Sequence, residues 1–351
     1  MLEGVSCFGD DKTRKERKRF ETMKLGVIGS GVIVQEFLPK LVKLEGMEVA
    51  GVMNLPECID QVRELCEKSG VKNACTSFDE LCGLGIDTVY VAVPNFLHYT
   101  YCCQALERGL NVIVEKPMTS NAREAKELRD LAEKNNAFIF EAITTVYFEA
   151  YQVIKEWLKK IGTVKLVTCN YSQYSRRYDA FRSGETLPAF DPKKSGGALM
   201  DINLYNLHYV MGLFGKPNSV KYYANVERGI DTSGMLMLSY DGFVANCTAA
   251  KDCSAPFFNV IEGTDGYITI SYPPNLIGTA KLTMNDKSEE VYEEKMAMDR
   301  LIPEFTAFIR AINENDRAFY EERMAASIAV SEVQTDARLD AGIIFPADET
   351  N

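Results

Sequence analysis

The sequence predicts an α/β protein in two parts: a doubly wound parallel sheet, then an α+β region with a large, mostly antiparallel open sheet. From Lys24 to about residue 145, short apolar runs alternate with amphipathic stretches, as in a parallel sheet covered by helices on both faces. Beyond residue 150, strand-like runs follow one another, with hairpin signals at Asp241-Gly242 and Asp265-Gly266. The length of 351 residues also exceeds that of a usual single domain.

The elements of the first part follow from its apolar period. Apolar runs predict strands at 25–29, 48–53, 74–76, 87–94, 111–117 and 137–143. Amphipathic stretches predict the intervening helices at 32–46, 58–70, 78–85, 98–109 and 120–136. Pro39 should kink or end the first helix, and Ser120 is the predicted N-cap of the last.

The second part has a different rhythm. It begins with a predicted helix at 151–160, a strand at 164–174, a polar loop to Lys194 and a helix from Gly197 to Phe214. Strands are then predicted at 220–227, 234–242, 242–250, 257–263, 266–272 and 279–286. Helices at 298–315 and 322–340 close the chain.

Composition excludes several classes of protein. A hydrophobic fraction of 46% and a charged fraction of 25% are those of a soluble globular protein, and a net charge of −11 argues against a nucleic-acid surface. The 10 cysteines form no C-x-x-C pair, and His98 and His208 are the only histidines, so we expect reduced thiols and no metal site. No apolar run reaches the length of a membrane span, and we expect a cytoplasmic location.

A glycine turn joins the first strand to the first helix, in the segment LGVIGSGVIVQEFL (25–38). Gly29 allows a tight turn, Gly31 lacks a Cβ, and the free N–H groups at the helix start favour negative charge. These features predict a dinucleotide site built on Gly29, Ser30, Gly31, Val32 and Ile33. Val34 stands where the G-x-G-x-x-G/A fingerprint has a small residue, so an ordinary glycine turn is the alternative interpretation.

The residues after the second strand bear on the choice of cofactor. An acidic residue there would bind the ribose hydroxyls of NAD, whereas an Arg would pair with the 2′-phosphate of NADP. Met53 and Asn54 occupy these positions. Because neither of these two positions carries a cationic side chain, the sequence favours NAD over NADP.

Two later motifs are more specific. Glu115-Lys116-Pro117 ends the fifth strand, and GGALMDINLY (196–205) opens a helix. Together with VPNFLH (93–98), FDPKKSGGALMD (190–201) and IEGTDGYITI (261–270), they make the chain from Met23 onward resemble the Gfo/Idh/MocA oxidoreductase family. Tyr205 resembles the branch of glucose-fructose oxidoreductase and dimeric dihydrodiol dehydrogenase, because members resembling inositol dehydrogenase carry His there. Asn203 departs from the family pattern, which has Gly, and His208 replaces the usual Asp or Asn.

The resemblance implies a domain plan and a cofactor site. We expect a flexible extension at 1–22, a Rossmann dinucleotide-binding domain at 23–145, and a substrate-binding and oligomerisation domain at 146–351. It also implies a homodimer or homotetramer that forms through the C-terminal sheet. An exposed face of this sheet would be prone to aggregation if it were not covered. The residues it places along the cofactor are Val93, Pro94, Asn95, His98, Glu115 and Lys116, with His98 as a structural helper.

Tyr205, Lys116 and Asp201 form the predicted catalytic site. Hydride transfer to or from a carbinol carbon needs a group that handles the hydroxyl proton, and Tyr205 can be this acid/base. Lys116 would favour the phenolate and donate to the substrate oxygen. Asp201 lies four residues before Tyr205, so both project from one helical face, where Asp201 can orient Lys116 or bind a substrate hydroxyl. Taken singly, the three residues are equally typical of a helix cap, a core aromatic and a surface lysine.

The substrate is expected to be a sugar, cyclic polyol or related diol. Tyr174, Arg176 and Arg177 lie in a loop rich in Tyr and Arg that suits a sugar or an anionic group, or is only a surface loop. His208, three residues after Tyr205, could reach substrate, or is a packed helix residue. A glycosidase that uses NAD for transient oxidation and a non-catalytic nicotinamide sensor are the alternative functions.

Overall fold

The computed structural model of the protein describes residues 22–295 and 299–349. Apart from Thr22, the predicted extension at 1–22 therefore lies outside the described residues. The first sheet has six parallel strands in the order β3-β2-β1-β4-β5-β6. They are β1 (Met23–Ile28), β2 (Met47–Met53), β3 (Asn73–Cys75), β4 (Thr88–Val91), β5 (Asn111–Glu115) and β6 (Ile139–Ala142).

Helices cover both faces of this sheet, which is why β4 is buried along its whole length. They are α1 (Val32–Leu41), α2 (Ile59–Ser69), α3 (Phe78–Cys82), α4 (His98–Glu107) and α5 (Ala122–Lys134). The strand order reverses between β1 and β4, so the loops after these two strands diverge and leave a crevice at their carboxyl ends. The sheet is a Rossmann-type sheet, as predicted.

The second sheet has eight strands in the order β14-β13-β12-β11-β7-β10-β9-β8. Only β7 and β10 pair in parallel; the other neighbours are antiparallel. The strands are β7 (Val164–Ser172), β8 (Ser219–Glu227), β9 (Ile230–Tyr240), β10 (Phe243–Ala250), β11 (Phe258–Gly263), β12 (Gly266–Ile270), β13 (Thr279–Met284) and β14 (Glu289–Glu293). The predicted fold class is confirmed.

Within the described residues, six further α-helices follow β6 along the chain. They are α6 (Glu149–Leu158), α7 (Arg176–Arg182), α8 (Leu204–Phe214), α9 (Leu301–Glu314), α10 (Arg317–Asp340) and α11 (Pro346–Glu349). Helix α9 returns to the first sheet, where Phe308 stacks on Phe140 of β6 with ring centroids 4.8 Å apart. The start of α9 therefore lies beside the crevice of the first sheet.

Local features differ from the predictions in several places. Helix α1 ends at Leu41, two residues beyond Pro39, rather than at residue 46. Asn121, not Ser120, caps α5: its side chain accepts the Glu124 N–H at 3.0 Å, whereas the Ser120 hydroxyl accepts from Ser195 Oγ at 2.7 Å. The predicted polar loop contains α7.

Because of their polar residues, one strand and the start of one helix were not predicted from the sequence. Strand β14 was not predicted, because an edge strand that reads Glu-Glu-Val-Tyr-Glu carries charge where a buried strand carries apolar side chains. Helix α10 begins at Arg317, earlier than predicted, because the Asp316 side chain accepts the Phe319 N–H at 3.0 Å and caps it.

Candidate active site

The glycine turn after β1 has two differently constrained glycines. Gly29 has φ +108°, and a Cβ there would lie 2.2 Å from the carbonyl oxygen of Ala92 at the end of β4. Only glycine fits this contact. A Cβ on Gly31, in contrast, would meet no protein atom within 4 Å. The space beside Gly31 therefore faces the crevice.

Helix α1 begins directly at this open space. Gly31 makes no side-chain cap, and the first turn of α1 holds no acidic residue, so its N–H groups point outward without a carboxylate partner. Val32 is 71% exposed, and it lines the crevice together with Ile33. These features fit a dinucleotide, because a pyrophosphate needs close backbone approach and free N–H donors.

The turn after β2 supports the glycine turn through the backbone and one amide. The Met53 side chain is buried, and its carbonyl oxygen accepts the Gly29 N–H at 2.8 Å. Asn54 Nδ2 donates to Ser30 Oγ at 2.7 Å, and its Oδ1 accepts the Leu55 N–H at 2.8 Å. Met53 thus supports the glycine turn through its main-chain carbonyl group, and Asn54 supports it through the hydrogen bond to Ser30.

His98 holds the far wall of the crevice in place. The ring is fully buried, with Nδ1 2.8 Å from the Pro117 carbonyl oxygen and Nε2 2.9 Å from that of Val93. The segments that follow β4 and β5 are thereby joined through one side chain. Asn95 adds a link to the second part of the chain, because its Nδ2 donates to the Ser195 carbonyl at 2.9 Å. His98 lies in the position of a structural helper.

Lys116 and Tyr205 meet at the crevice although 89 residues separate them. Lys116 follows β5 and Tyr205 lies in the first turn of α8. Both line one cleft, and Lys116 Nζ lies 5.1 Å from the centroid of the Tyr205 ring. Asp201 completes the group: Lys116 Nζ donates to its Oδ1 and to its backbone oxygen, both at 2.9 Å.

A second lysine binds the other oxygen of Asp201. Lys251, directly after β10, has its Nζ 2.8 Å from Asp201 Oδ2 and 2.7 Å from the Ala189 carbonyl oxygen. Its side chain is only 3% exposed. Lys251 was not predicted as a site residue; the available signal was a lysine placed immediately after a buried strand.

A π-helical turn sets the position of Asp201. Leu199–Asn203 form this turn ahead of α8, so Asp201 and Tyr205 do not share the regular helical face that their spacing predicted. Asn203, which departs from the family pattern, is fully buried and donates to the Cys247 carbonyl at 3.0 Å. Asn206 donates to Asn203 Oδ1 at 2.8 Å. These amide hydrogen bonds connect the start of α8 to β10 and thereby fix the position of Tyr205 in the cleft.

The charges in this group are strongly coupled. Burial alone would raise the pKa of Asp201, but the ammonium groups of Lys251 and Lys116 hold it well below its usual range. Burial alone would lower the pKa of Lys116, but Tyr205 and the Asp201 carboxylate raise it. Burial raises the pKa of Tyr205 above its ordinary value of about 10, although Lys116 opposes this shift. For Tyr205, burial therefore outweighs the effect of Lys116, which was expected to favour the phenolate. The resting site pairs a neutral phenol with a charged lysine.

The structure separates the predicted substrate residues. Arg177 lines both the cleft that contains Lys116 and Tyr205 and a second recess that contains Asp201 and Lys194. The first of these two spaces is called the cofactor cleft below. Tyr174 donates to Asp179 Oδ1 at 2.7 Å, and neither it nor the exposed Arg176 lines these two spaces. The structure therefore does not bring these two residues to the site: Tyr174 precedes α7, Arg176 begins it, and both side chains are exposed.

His208 also lies away from the cleft, in contrast to the prediction. It is buried with Nε2 3.2 Å from Glu141 Oε2, in another cavity lined by Tyr147 and Ser327. Three residues along an α-helix amount to a rotation of about 60° and a rise of about 4.5 Å, which is enough to change the neighbours of a side chain. Its alternative interpretation, a packed helix residue, fits this position.

Near the start of α9 the cleft is lined by three carboxyl groups, those of Glu36, Glu115 and Glu304, and by the guanidinium group of Arg300. Glu115 accepts from the Tyr90 hydroxyl at 2.5 Å, and Glu36 pairs with Arg300 at 3.3 Å. Glu304 is 1% exposed and lines the same cleft. Arg300 and Glu304 were not predicted; their spacing of four residues at a helix start was the available signal. No group of three or more His, Cys, Asp or Glu side chains that could hold a metal ion occurs within 22–295 and 299–349.

Comparisons with known proteins agree with this geometry. A model described as "Oxidoreductase family, NAD-binding Rossmann fold" matches residues 23–142, and one described as "GFO/IDH/MocA C-terminal domain" matches 151–269. The scyllo-inositol 2-dehydrogenase (NADP(+)) IolU of Bacillus subtilis (strain 168) is 32% identical over 332 residues, 93% of this chain and 99% of the relative. The trans-1,2-dihydrobenzene-1,2-diol dehydrogenase of Mus musculus is 24% identical over 93% of this chain and 99% of its own length.

Solved structures share the fold. The 3-ketoreductase KijD10 from Actinomadura kijaniata, in complex with NADP and TDP-benzene, superposes with a TM-score of 0.77 at 19% identity, covering 91% of this chain and 97% of its own. A levoglucosan dehydrogenase complex with NADH and levoglucosan gives 0.77 at 18% identity, with the same coverage of 91% and 97%. The chain belongs to the GFO/IDH/MocA oxidoreductase family, as its motifs predicted, and is an NAD(P)-dependent dehydrogenase or reductase. Among the described residues, no helix combines the length and the apolar character of a membrane span.

Proposed function

We propose that this protein transfers a hydride between a nicotinamide dinucleotide and a secondary alcohol or ketone of a sugar, cyclic polyol or related diol. The observation that carries the proposal is the meeting of Lys116, Tyr205 and Asp201 at the crevice of a Rossmann sheet. The names of the relatives support the substrate class, since they include an inositol dehydrogenase, a diol dehydrogenase and a D-xylose 1-dehydrogenase.

The three residues divide the proton chemistry among them. Tyr205, whose pKa is raised by burial, donates its proton to the carbonyl oxygen in reduction. In oxidation it must first lose that proton, so that its phenolate takes the hydroxyl proton of the substrate. The Lys116 ammonium lies beside the phenol and stabilises the negative charge that develops on that oxygen. Asp201 holds Lys116 charged and in place, and Lys251 balances the second oxygen of Asp201.

The cofactor site uses the glycine turn and the loops after β4 and β5. Gly29, Ser30, Gly31, Val32 and Ile33 are the residues that would hold the pyrophosphate end, and a bound nicotinamide supplies the hydride donor or acceptor. The loops contribute Val93, Pro94, Asn95, His98, Glu115 and Lys116. NAD is favoured over NADP because neither Met53 nor Asn54 offers a cation to a 2′-phosphate. The opposite choice is named for the IolU relative, so the two cofactors need direct comparison.

Arg177 and Lys194 extend the site toward the substrate. Both line the recess that contains Asp201, and both are basic in a protein with a net charge of −11. They would bind sugar hydroxyls or an anionic substituent of the substrate.

The open face of the second sheet is the proposed contact between copies of the chain. Tyr223 and Met235 are opposite each other on β8 and β9 and are 64% and 53% exposed. Leu166 and Val244 form an equivalent exposed pair on β7 and β10. A row of apolar side chains across adjacent strands favours a homodimer or homotetramer. The free thiols of the described cysteines suit the cytoplasmic location that we expect.

The function is tested with purified protein and both reduced cofactors. Binding is measured by fluorescence titration, and turnover by absorbance at the NAD(P)H band with inositols, inososes, aldoses, ketoses and diols. Absorbance change with at least one member supports the proposal. Release of free sugar from a glycoside without net NADH would indicate the glycosidase, and binding without turnover over the whole panel would indicate the sensor.

A further inference from the structure

Glu304 is a buried carboxyl group that points into the cofactor cleft. It lies in the first turn of α9, is 1% exposed, and lines the cleft together with Lys116 and Tyr205. Its Oε2 atom is buried and has no hydrogen-bond partner among the described residues. A buried polar atom without a partner is costly, so a ligand that satisfies it would gain affinity.

The neighbouring donors are committed elsewhere. Arg300, one turn before Glu304, pairs with Glu36 and stacks over the Phe37 ring at 4.7 Å. The Tyr90 hydroxyl donates to Glu115 at 2.5 Å. Neither group donates to Glu304 Oε2, and Glu304 lines the cleft. A ligand bound in the cleft would supply the missing partner.

The surrounding charge restricts what that partner can be. Burial, reinforced by the nearby carboxyl group of Glu115, raises the pKa of Glu304 well above the usual range of a carboxyl group. A neutral acid offers one O–H donor and one carbonyl acceptor side by side. A phosphate is a poor match, because Glu36, Glu115 and Glu304 all face this end of the cleft.

We propose that the Glu304 carboxyl binds the carboxamide of the nicotinamide ring and so fixes the face of the ring that Tyr205 and Lys116 confront. The inference rests on the proposed function, because it requires a nicotinamide dinucleotide in this cleft. A primary amide presents an N–H donor and a C=O acceptor in one plane, which complements a carboxyl group with two hydrogen bonds. Glu304 is a positioning residue for the cofactor and takes no part in proton transfer to substrate.

The test compares two dinucleotides that differ only at the carboxamide. In the 3-acetylpyridine analogue a methyl group replaces the amide NH2, while the carbonyl oxygen remains. Dissociation constants of the reduced forms are measured for wild type, Glu304→Gln, Glu304→Leu and Glu314→Gln. Glu314→Gln is the matched control, because it removes a surface carboxylate from the same helix and leaves the Glu36–Arg300 pair intact.

We expect wild type to bind the nicotinamide form about tenfold more tightly than the analogue, as one lost hydrogen bond implies. Glu304→Leu should bind both forms about equally, whereas Glu304→Gln and Glu314→Gln should keep the preference. Glu304→Leu should also raise the melting temperature of the cofactor-free protein, since it removes an unsatisfied carboxyl. If Glu304→Leu does not fold, Glu304→Met takes its place.

Two results would overturn the inference, and they are distinguishable from failure of the proposed function. If the leucine variant loses affinity for both forms by the same factor, Glu304 contacts another part of the cofactor, such as a ribose hydroxyl. If the preference of wild type persists undiminished in the leucine variant, Glu304 does not bind the carboxamide. If wild type binds neither dinucleotide, the proposed function fails, and this inference fails with it.

Discussion

Replacing Asp201 with asparagine should destabilise the protein, because one carboxylate holds two lysines. Asp201 Oδ1 lies 2.9 Å from Lys116 Nζ, and Oδ2 lies 2.8 Å from Lys251 Nζ. An amide keeps one acceptor oxygen and turns an NH2 group toward the other ammonium. Asp201→Asn therefore loses a charge-assisted hydrogen bond and leaves two like charges uncompensated.

The size of the effect follows from the geometry. Two ammonium groups on the two oxygens of one carboxylate lie roughly 5 to 6 Å apart and repel by about 3 kcal/mol at an effective dielectric of about 20. Removing one partner of a buried pair typically costs about 3 to 5 kcal/mol. The Asp201 side chain is 31% exposed, so solvent screening reduces the expected loss to about 2 to 4 kcal/mol. For a chain of 351 residues that loss corresponds to a fall in melting temperature of roughly 3 to 5 °C.

A double-mutant cycle separates this effect from simple loss of packing. The free energy of unfolding is measured in denaturant for wild type, Asp201→Asn, Lys251→Met and the double variant. The double variant should be less destabilised than the sum of the single ones, with a coupling of about 1 to 3 kcal/mol. Asp60→Asn is the control, since Asp60 pairs with Arg63 at the surface and should cost less than about 0.5 kcal/mol. Additive effects, or an Asp201→Asn variant as stable as this control, would refute the reasoning.

The glycine turn, the buried acid and the open sheet face give three more expectations. Gly29→Ala puts a Cβ 2.2 Å from a backbone oxygen and should lower the melting temperature, whereas Gly31→Ala should leave it unchanged and weaken cofactor binding about tenfold; unchanged binding would contradict this. Burial raises the pKa of Glu304 above its unfolded value of about 4.3, so its stabilisation is complete below that pH and is lost as pH rises through the raised pKa. Glu304→Gln should therefore gain stability over wild type as the pH rises above about 4.3 in denaturant titrations, and parallel pH profiles would argue against it. Met235→Lys should reduce the mass measured by light scattering, whereas Leu339→Lys, at a site of similar exposure on α10, should not; an unchanged mass in both would exclude this face.

The fold was predictable because its signals are local. Alternating apolar runs and helical periods along the chain are sufficient to indicate a parallel sheet, and Gly29 and Gly31 mark the junction between β1 and α1. Lys116 and Tyr205 could be placed together through their motifs, which lie in the two parts of the chain. An edge strand such as β14 escaped because its charges mask its pairing.

The side-chain partners were not predictable, because they depend on tertiary geometry. Nothing local in the sequence pairs Lys251 with Asp201, since the two lie 50 residues apart on different elements. The π-helical turn before α8 invalidates the α-helical spacing used for Asp201. His208 lies on the predicted helix, but a rotation of about 60° places it beside Glu141 rather than in the cleft.

The central claim, that the Tyr205 phenol transfers the proton in a nicotinamide-dependent reaction, is tested most directly by Tyr205→Phe. Cofactor dissociation constants and the rate of absorbance change at the NAD(P)H band are measured together, on a substrate that wild type turns over. The phenyl ring fills the same space without the hydroxyl, so the dissociation constant should stay within about twofold while the rate falls about 100-fold or more. A variant that binds cofactor and retains a near wild-type rate would contradict the account.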